Sequence, residues 1–396
     1  MYTNIEFLDT EPIENVITAL HFKVDKTIFI GYQDVKNEYE RQTENFLKTH
    51  CGVKEVEFRV VSEMDLQNAI TTLREVIEAE KEVGNQVFFD ITGGEGLILV
   101  AFGMLAQEYR LPIHQYDIVS DRLYELNPEE ISPISSYSEL KKEKVQLDLD
   151  TYIKMQGAVI SGKKIAGEMD TSNPFFMKQV EKLWEVLCDY RERWNSYTEV
   201  LGSVFKTDTL YADAIVDSSR VRDLNSFQTY LERIKDTGAI YKLRMTNLQK
   251  ENGLERVRIS FFYESEDIKH CLIKSGNTLE LHTFQMMKKH AFDCRQSVMS
   301  DWDGVEHRYK GMDVLNEIDV LCIEGNIPTF ISCKGGRMDD GQALDPMYEL
   351  LTVAERFGGK YAKKVLAVVH PLKDVYVSRA EEMGIEIRLA QKTEKQ

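Results

Sequence analysis

Glu317, Asp319, Ser332 and Lys334 are the residues of this chain whose types and spacing best suit phosphodiester chemistry. Side chains alternate across a strand, so Glu317 and Asp319 share one face of NEIDVLCIEGN (316–326), and Ser332 and Lys334 share one face of IPTFISCK (327–334). The turn EGN joins the two runs as a hairpin and brings those faces together. The result is one or two carboxylates beside a lysine at the end of an apolar strand. Glu280, on a helix upstream, can add a third carboxylate, and the main-chain carbonyl of Cys333 can complete a metal shell. Hard oxygen ligands of this kind suit Mg²⁺ or Mn²⁺, which keep several waters and take a phosphate oxygen as a further ligand. Such an ion polarises the phosphate and activates water, and a nearby lysine orients that water or stabilises developing charge. The competing reading is a cross-strand ion pair between Asp319 and Lys334, which contributes little. The apolar neighbours Ile318, Val320, Leu321, Phe330 and Ile331 favour a site.

A second candidate lies near the other end. VFFD-ITGGEG-LILVAF (87–102) reads as strand, glycine-rich turn and helix. Such a turn aims backbone N–H groups and a helix N-terminus at an anion, and Thr92 adds a hydroxyl beside Gly93 and Gly94. The competing reading is a plain connection. The turn is neither a P-loop nor a GxGxxG fingerprint, which disfavours a dinucleotide cofactor.

The elements that must hold these residues suggest an α/β protein in several parts. Over residues 1–126, TIFIG, EVEFRVV, QVFFD and LPIHQYDIV read as strands between helical stretches at Asn37–Thr49, Asp65–Val83 and 96–109, with Asp65 as a cap. That rhythm predicts a parallel sheet covered on both faces. NPEEISPISSYSELKKEK (127–144) reads as a linker. Residues 145–268 read as helices followed by a hairpin around QKENG, a winged-helix-like arrangement. Residues 269–396 hold a helix from 275 to 290 with Asn277 as its cap, the hairpin above, a helix from Gln342 to Phe357 closed by Gly358 and Gly359, and further strands at 363–370 and 385–390.

The chain has 396 residues and a net charge of −17. The balance is −15 over residues 1–150, even over 151–270 and −2 over 271–396. The first part therefore repels long nucleic acid, while the rest can approach it where basic residues cluster. Six scattered cysteines without a CxxC point to a reducing compartment and away from a disulfide framework. The start of the chain has no signal-peptide pattern and no run long enough to span a bilayer, so a cytoplasmic location is expected.

The D-(x)n-(D/E)-x-K pattern with a helical glutamate resembles the PD-(D/E)xK restriction-endonuclease superfamily. GNTLELHTF, GMDVLNEIDVL, FISCK and LDPMYELLTVAERFGG are similar to the CRISPR-associated nucleases that carry an N-terminal CARF domain. The resemblance implies an α/β architecture of three parts: a Rossmann-like CARF domain (1–126), a helical, winged-helix-like middle region (145–268) and a restriction-endonuclease-like domain (269–396). It implies Asp319 as metal ligand, Lys334 as motif lysine and Glu280 as helical glutamate. Ser332 departs from the pattern, which has Asp or Glu there; Glu317 or Glu280 compensates, with Gln342 and Glu349 as lesser candidates. In the first domain it implies a cyclic oligoadenylate held across a homodimer two-fold by Thr92, Gly93 and Gly94, with Asp9, Thr10, Gly31, Tyr32 and Gln33. Glu95 and Gly96 stand where relatives often have Thr and Lys, so Glu95 turns away or contacts adenine or ribose. The implied activator is cyclic tetra-adenylate ahead of hexa-adenylate.

The expected function is then a ligand-activated, metal-dependent endonuclease of type III CRISPR antiviral defence, cutting single-stranded DNA, RNA or both, with possible nicking of duplex. The alternatives are a non-enzymatic, ligand-responsive nucleic-acid-binding regulator and a restriction or repair nuclease that needs no ligand.

Overall fold

In the computed structural model, residues 1–126, 138–141, 145–161, 169–301, 315–338 and 341–392 are described. Most of the 127–144 stretch and residues 311–314 of GMDVLNEIDVL lie outside them. The alternating runs of the first part form β1 (Tyr2–Phe7), α1 (Ile17–His21), β2 (Lys26–Gly31), α2 (Gln33–Phe46), β3 (Glu55–Val60), α3 (Leu66–Glu82), β4 (Gln86–Asp90), α4 (Gly96–Tyr109), β5 (Ile113–Asp117), β6 (Arg122–Leu126) and β7 (Ser138–Glu139). The sheet order is β3-β2-β1-β4-β5-β6-β7, with parallel pairing from β3 to β5 and antiparallel pairing beyond. Strand order reverses between β1 and β4, and in open parallel sheets ligands bind at the carboxyl ends of strands beside that switch point. The Rossmann-like α/β reading of this part agrees with the sheet. Ile5, Ile28, Ile30 and Phe89 pack against α3 and α4 on one face. Asp65 caps α3 by accepting the Asn68 N–H at 2.9 Å.

The next elements are α5 (Leu149–Met155), β8 (Val159–Ile160), α6 (Pro174–Asp189), α7 (Arg191–Val204), β9 (Tyr211–Asp217), α8 (Leu224–Asp236), β10 (Ile240–Glu251), β11 (Leu254–Tyr263) and α9 (Glu266–Ile273). β10 and β11 make the hairpin, turning at Asn252 and Gly253, both at positive φ as a tight two-residue turn requires. β9 joins as a third strand against β11.

The last part is α10 (Asn277–Lys288), β12 (Asp293–Asp301), β13 (Leu315–Glu324), β14 (Ile327–Lys334), α11 (Leu344–Gly358), β15 (Lys363–Val368), α12 (Asp374–Glu382) and β16 (Ile385–Leu389). Its six-stranded sheet runs β16-β15-β14-β13-β12-β8, so the short β8 from the middle of the chain closes one edge. Asn277 is not the cap of α10: it is the first helical residue, and its amide donates to the His270 carbonyl at 3.2 Å. Gly359, at φ +70, ends α11.

Alternate residues of this sheet enter two different cores. Val320, Ile331 and Val365 face α10 and the middle helices. Leu321, Phe330 and Leu366 face α11, in a core continuous with Phe29 and Phe88 of the first sheet. The two α/β layers thus share one apolar interior. Among the described residues no helix is long and apolar enough to cross a membrane.

Candidate functional site

β13 and β14 pair antiparallel with Val320 opposite Ile331, which sets Asp319 beside Ser332 and Cys333. The Asp319 carboxylate accepts the Cys333 N–H at 2.6 Å and the Ser332 hydroxyl at 3.4 Å. A carboxylate fixed to the neighbouring strand in this way cannot swing out to solvent. Burial pushes its pKa up, and the Cys333 N–H and the Lys334 charge pull against that rise. Glu317, Asp319, Ser332 and Lys334 line one cleft of about 160 Å³, with Glu349, Leu350 and Val353 of α11 as its far wall. All four strand residues named from their spacing therefore converge.

Glu280 reaches the same charges from α10. Burial, with the nearby Asp319 and Glu317 charges, pushes its pKa up to about 7, while Lys334 opposes the shift. Glu349 is part of the cleft wall; Gln342 is not among the lining residues. Cys333 contributes its N–H to Asp319, and its thiol is buried, with its pKa driven up by that burial.

Among the described residues no three Asp, Glu, His or Cys side chains lie close enough to form a metal cage unaided. Mg²⁺ is usually held by one or two carboxylates with retained waters, so the donor set Asp319 and Glu280 fits such an ion. A cation held there would offset the rise that the Asp319 and Glu317 charges produce in Glu280.

At the other site, Asp9 and the Thr92–Glu95 turn meet at the carboxyl ends of β1 and β4, at the switch point. The Thr92 hydroxyl is engaged internally: it donates to Asp90 at 2.6 Å and accepts the Tyr116 N–H at 2.8 Å. Asp90 is buried, with its pKa raised by that burial. Gly94, at φ +128, donates its N–H to the Asp9 carboxylate at 3.1 Å, so an acid of the chain itself occupies part of the turn's anion-binding concavity. A side chain at Gly93 would meet Glu14 at 3.1 Å and Asp9 at 3.3 Å. Glu95 accepts the Tyr32 hydroxyl and leaves the first turn of α4 without a side-chain cap. Gly31 packs on Leu8, Thr10 donates to Asp9 at 3.4 Å, and Gln33 bonds Asn37 at 2.8 Å.

Four residues not named from the sequence tie the two sites together. Glu14, buried behind Gly93, pairs with Lys360 at 2.7 Å and accepts the Tyr361 hydroxyl. Glu11 accepts the Lys360 N–H at 2.8 Å and lies against Gly359. Lys360 and Tyr361 follow the end of α11, the helix whose Glu349, Leu350 and Val353 wall the cleft. A glutamate in an acidic stretch is unremarked in sequence, and only the fold brings it to a lysine 346 positions away.

No protein-family model matches the chain, and no curated protein does. Several solved structures share its fold. The protein VC1899 from Vibrio cholerae is 19% identical at a TM-score of 0.72, over 98% of this chain and 94% of that one. Can2 from Sulfobacillus thermosulfidooxidans, solved with cyclic tetra-adenylate, is 14% identical at 0.66, over 98% and 95%. A type III CRISPR defence DNA nuclease activated by cyclic oligoadenylate is 14% identical at 0.50, over 94% of this chain and 46% of that one. At these identities the common property is the fold.

Proposed function

We propose that this chain is a metal-dependent nuclease of type III CRISPR defence, activated by a cyclic oligoadenylate and acting on single-stranded DNA or RNA. The observation that carries the proposal is the convergence of Asp319, Lys334, Glu317 and Glu349 in one cleft, with Glu280 on α10 close enough to feel the Asp319, Glu317 and Lys334 charges. Asp319 and Glu280 would hold Mg²⁺ or Mn²⁺. The bound ion supplies a polarised phosphate and an acidified water. Lys334 then stabilises charge as it develops on the phosphate oxygens, and Asp319 is held ready by the Cys333 N–H. Ser332 contributes only a hydroxyl to Asp319, so the acidic role at its position passes to Glu280.

The first domain reads as the sensor. Its candidate site lies at the switch point of a parallel sheet, where the first turn of α4 is open to an anion. The shared fold with a protein solved with cyclic tetra-adenylate favours that ring as activator. A homodimer supplies the symmetric interface that a symmetric ring suits. Glu11 and Glu14 connect this turn to α11, giving ligand binding a route to the cleft wall. A ligand shifts such a balance only by its differential affinity for the two states. The domain division at residues 126, 145 and 268 belongs to this proposal, with β8 serving the nuclease sheet.

The test is cleavage of labelled single-stranded DNA and RNA with Mn²⁺, with and without cyclic tetra-adenylate. Cutting that needs both ligand and metal is expected. Cutting that ignores the ligand removes the sensor from the proposal, and absence of cutting with tetra- and hexa-adenylate alike removes the nuclease.

A further inference from the structure

A groove of about 740 Å³ carries Arg193, Arg220, Arg222 and Arg337 against one carboxylate, that of Glu192. We propose that this groove binds the phosphodiester backbone of a single nucleic-acid strand and feeds it to Asp319 and Lys334, an inference that rests on the nuclease reading of that cleft.

The groove is built onto the cleft by short connections. Lys334 ends β14, and the chain runs through Gly335 and Gly336 directly to Arg337. The Gly335 carbonyl accepts the Asn195 amide at 2.7 Å, and Trp194 donates to the Ser275 carbonyl at 3.1 Å, at the foot of the helix that carries Glu280. α7 is thereby fastened to both halves of the cleft, with Arg193 and Ser196 on its open side. The turn between β9 and α8 supplies the opposite wall through Arg220 and Arg222. Arg337 stands three positions beyond Lys334, so their backbones are at most ~11 Å apart.

The fold neutralises these charges only in part. The chain carries −17 overall, so carboxylates are plentiful. Yet among the described residues Arg220 and Arg222 have none within ion-pair distance. Arg193 donates to the Tyr197 hydroxyl at 3.1 Å and has Asp223 at 3.9 Å, and Arg337 pairs with Glu192. The nearby Asp217 carboxylate accepts the Ser219 N–H at 2.9 Å and hydroxyl at 2.5 Å and attracts Arg220 from beyond ion-pair distance. Exposed guanidinium groups gathered in one groove repel one another, and their surface ion pairs contribute little to folding. Their planar forks match phosphate oxygens two at a time, which a lysine cannot do. A row of such groups recognises a polyanion, and it does so without regard to base sequence.

The experiment measures binding of fluorescein-labelled 20-nucleotide single-stranded DNA and RNA to the full-length chain with cyclic tetra-adenylate, as a function of salt. Replacing Arg220 and Arg222 together with alanine removes two phosphate contacts. The slope of log K against log salt should fall by about 1.4, and affinity at 0.1 M salt by about 25-fold. Mn²⁺-dependent hydrolysis of bis(p-nitrophenyl) phosphate, too short to reach the groove, should be unchanged. The gain variant Ser196→Arg should steepen the slope by about 0.7. It decides the matter if the double variant fails to fold by circular dichroism. The polymer whose slope responds is the one the groove takes. Unaltered slopes in both variants, with wild-type cutting intact, overturn the groove and leave the nuclease standing. A wild-type chain that neither binds nor cuts either polymer overturns both.

Discussion

Replacing Lys360 with alanine and Tyr361 with phenylalanine strips Glu14 of its two partners at the end of α11. At 2.7 Å the Lys360–Glu14 attraction is ~6 kcal/mol at an effective dielectric of 20, before desolvation is subtracted. Breaking a fully buried pair costs ~3–5 kcal/mol. Glu14 is buried, but the Lys360 side chain is 56% exposed, so about 1–2 kcal/mol is expected for its loss. The Tyr361 hydroxyl bonded to a buried carboxylate adds about 1.5–3 kcal/mol. Burial already holds the Glu14 pKa above the ordinary range, so Glu14→Gln is mild, and in that background the Lys360 and Tyr361 changes should become nearly silent. Urea unfolding of the four corners of the cycle gives the coupling directly. If this contact also relays ligand binding, cleavage with and without cyclic tetra-adenylate should show the activation ratio falling at least tenfold, about 1.4 kcal/mol of lost coupling. An unchanged ratio alongside lowered stability would refute the relay and leave a purely structural tie. Zero coupling in the cycle would refute the contact itself.

Asp319→Asn should abolish Mn²⁺-dependent cleavage with no loss of melting temperature, because burial already disfavours the charged form; EDTA should do the same to the wild-type chain. At Glu80, burial raises the pKa, but bonds from Lys26, Asn85 and Thr3 outweigh it and the net shift is downward. Its contribution to stability is therefore present above the ordinary glutamate pKa and lost as pH falls through the lower folded value. Urea midpoints from pH 7 to pH 3 should drop less steeply in Glu80→Gln, which costs about 2 kcal/mol at pH 7. Thr92→Val removes the hydroxyl that satisfies buried Asp90 and the Tyr116 N–H, and should cost about 1–3 kcal/mol by chemical denaturation.

Much of this protein can be read along the chain because local spacing reports local structure. Charges set among Ile318, Val320 and Leu321 mark Asp319 as a strand residue with a reason to be there, and the EGN turn sets the hairpin partner that holds Lys334. QVFFD-ITGGEG marks a strand, a turn and a helix start. Other strands are hidden by their composition. β1 buries Thr3, Asn4 and Glu6, and β12 reads DCRQSVMSD, so neither shows an apolar alternation. The rest is decided by packing between distant segments. Glu349 becomes a cleft wall because α11 lies across β14, and Glu280 joins because α10 covers the opposite face. Summed along the chain, residues 151–270 are neutral, and that balance conceals Arg193, Arg220 and Arg222 beside Arg337. Sequence specifies which residues can be charged, buried or turned. Only the tertiary structure places them within the few ångströms over which Coulomb forces and hydrogen bonds act.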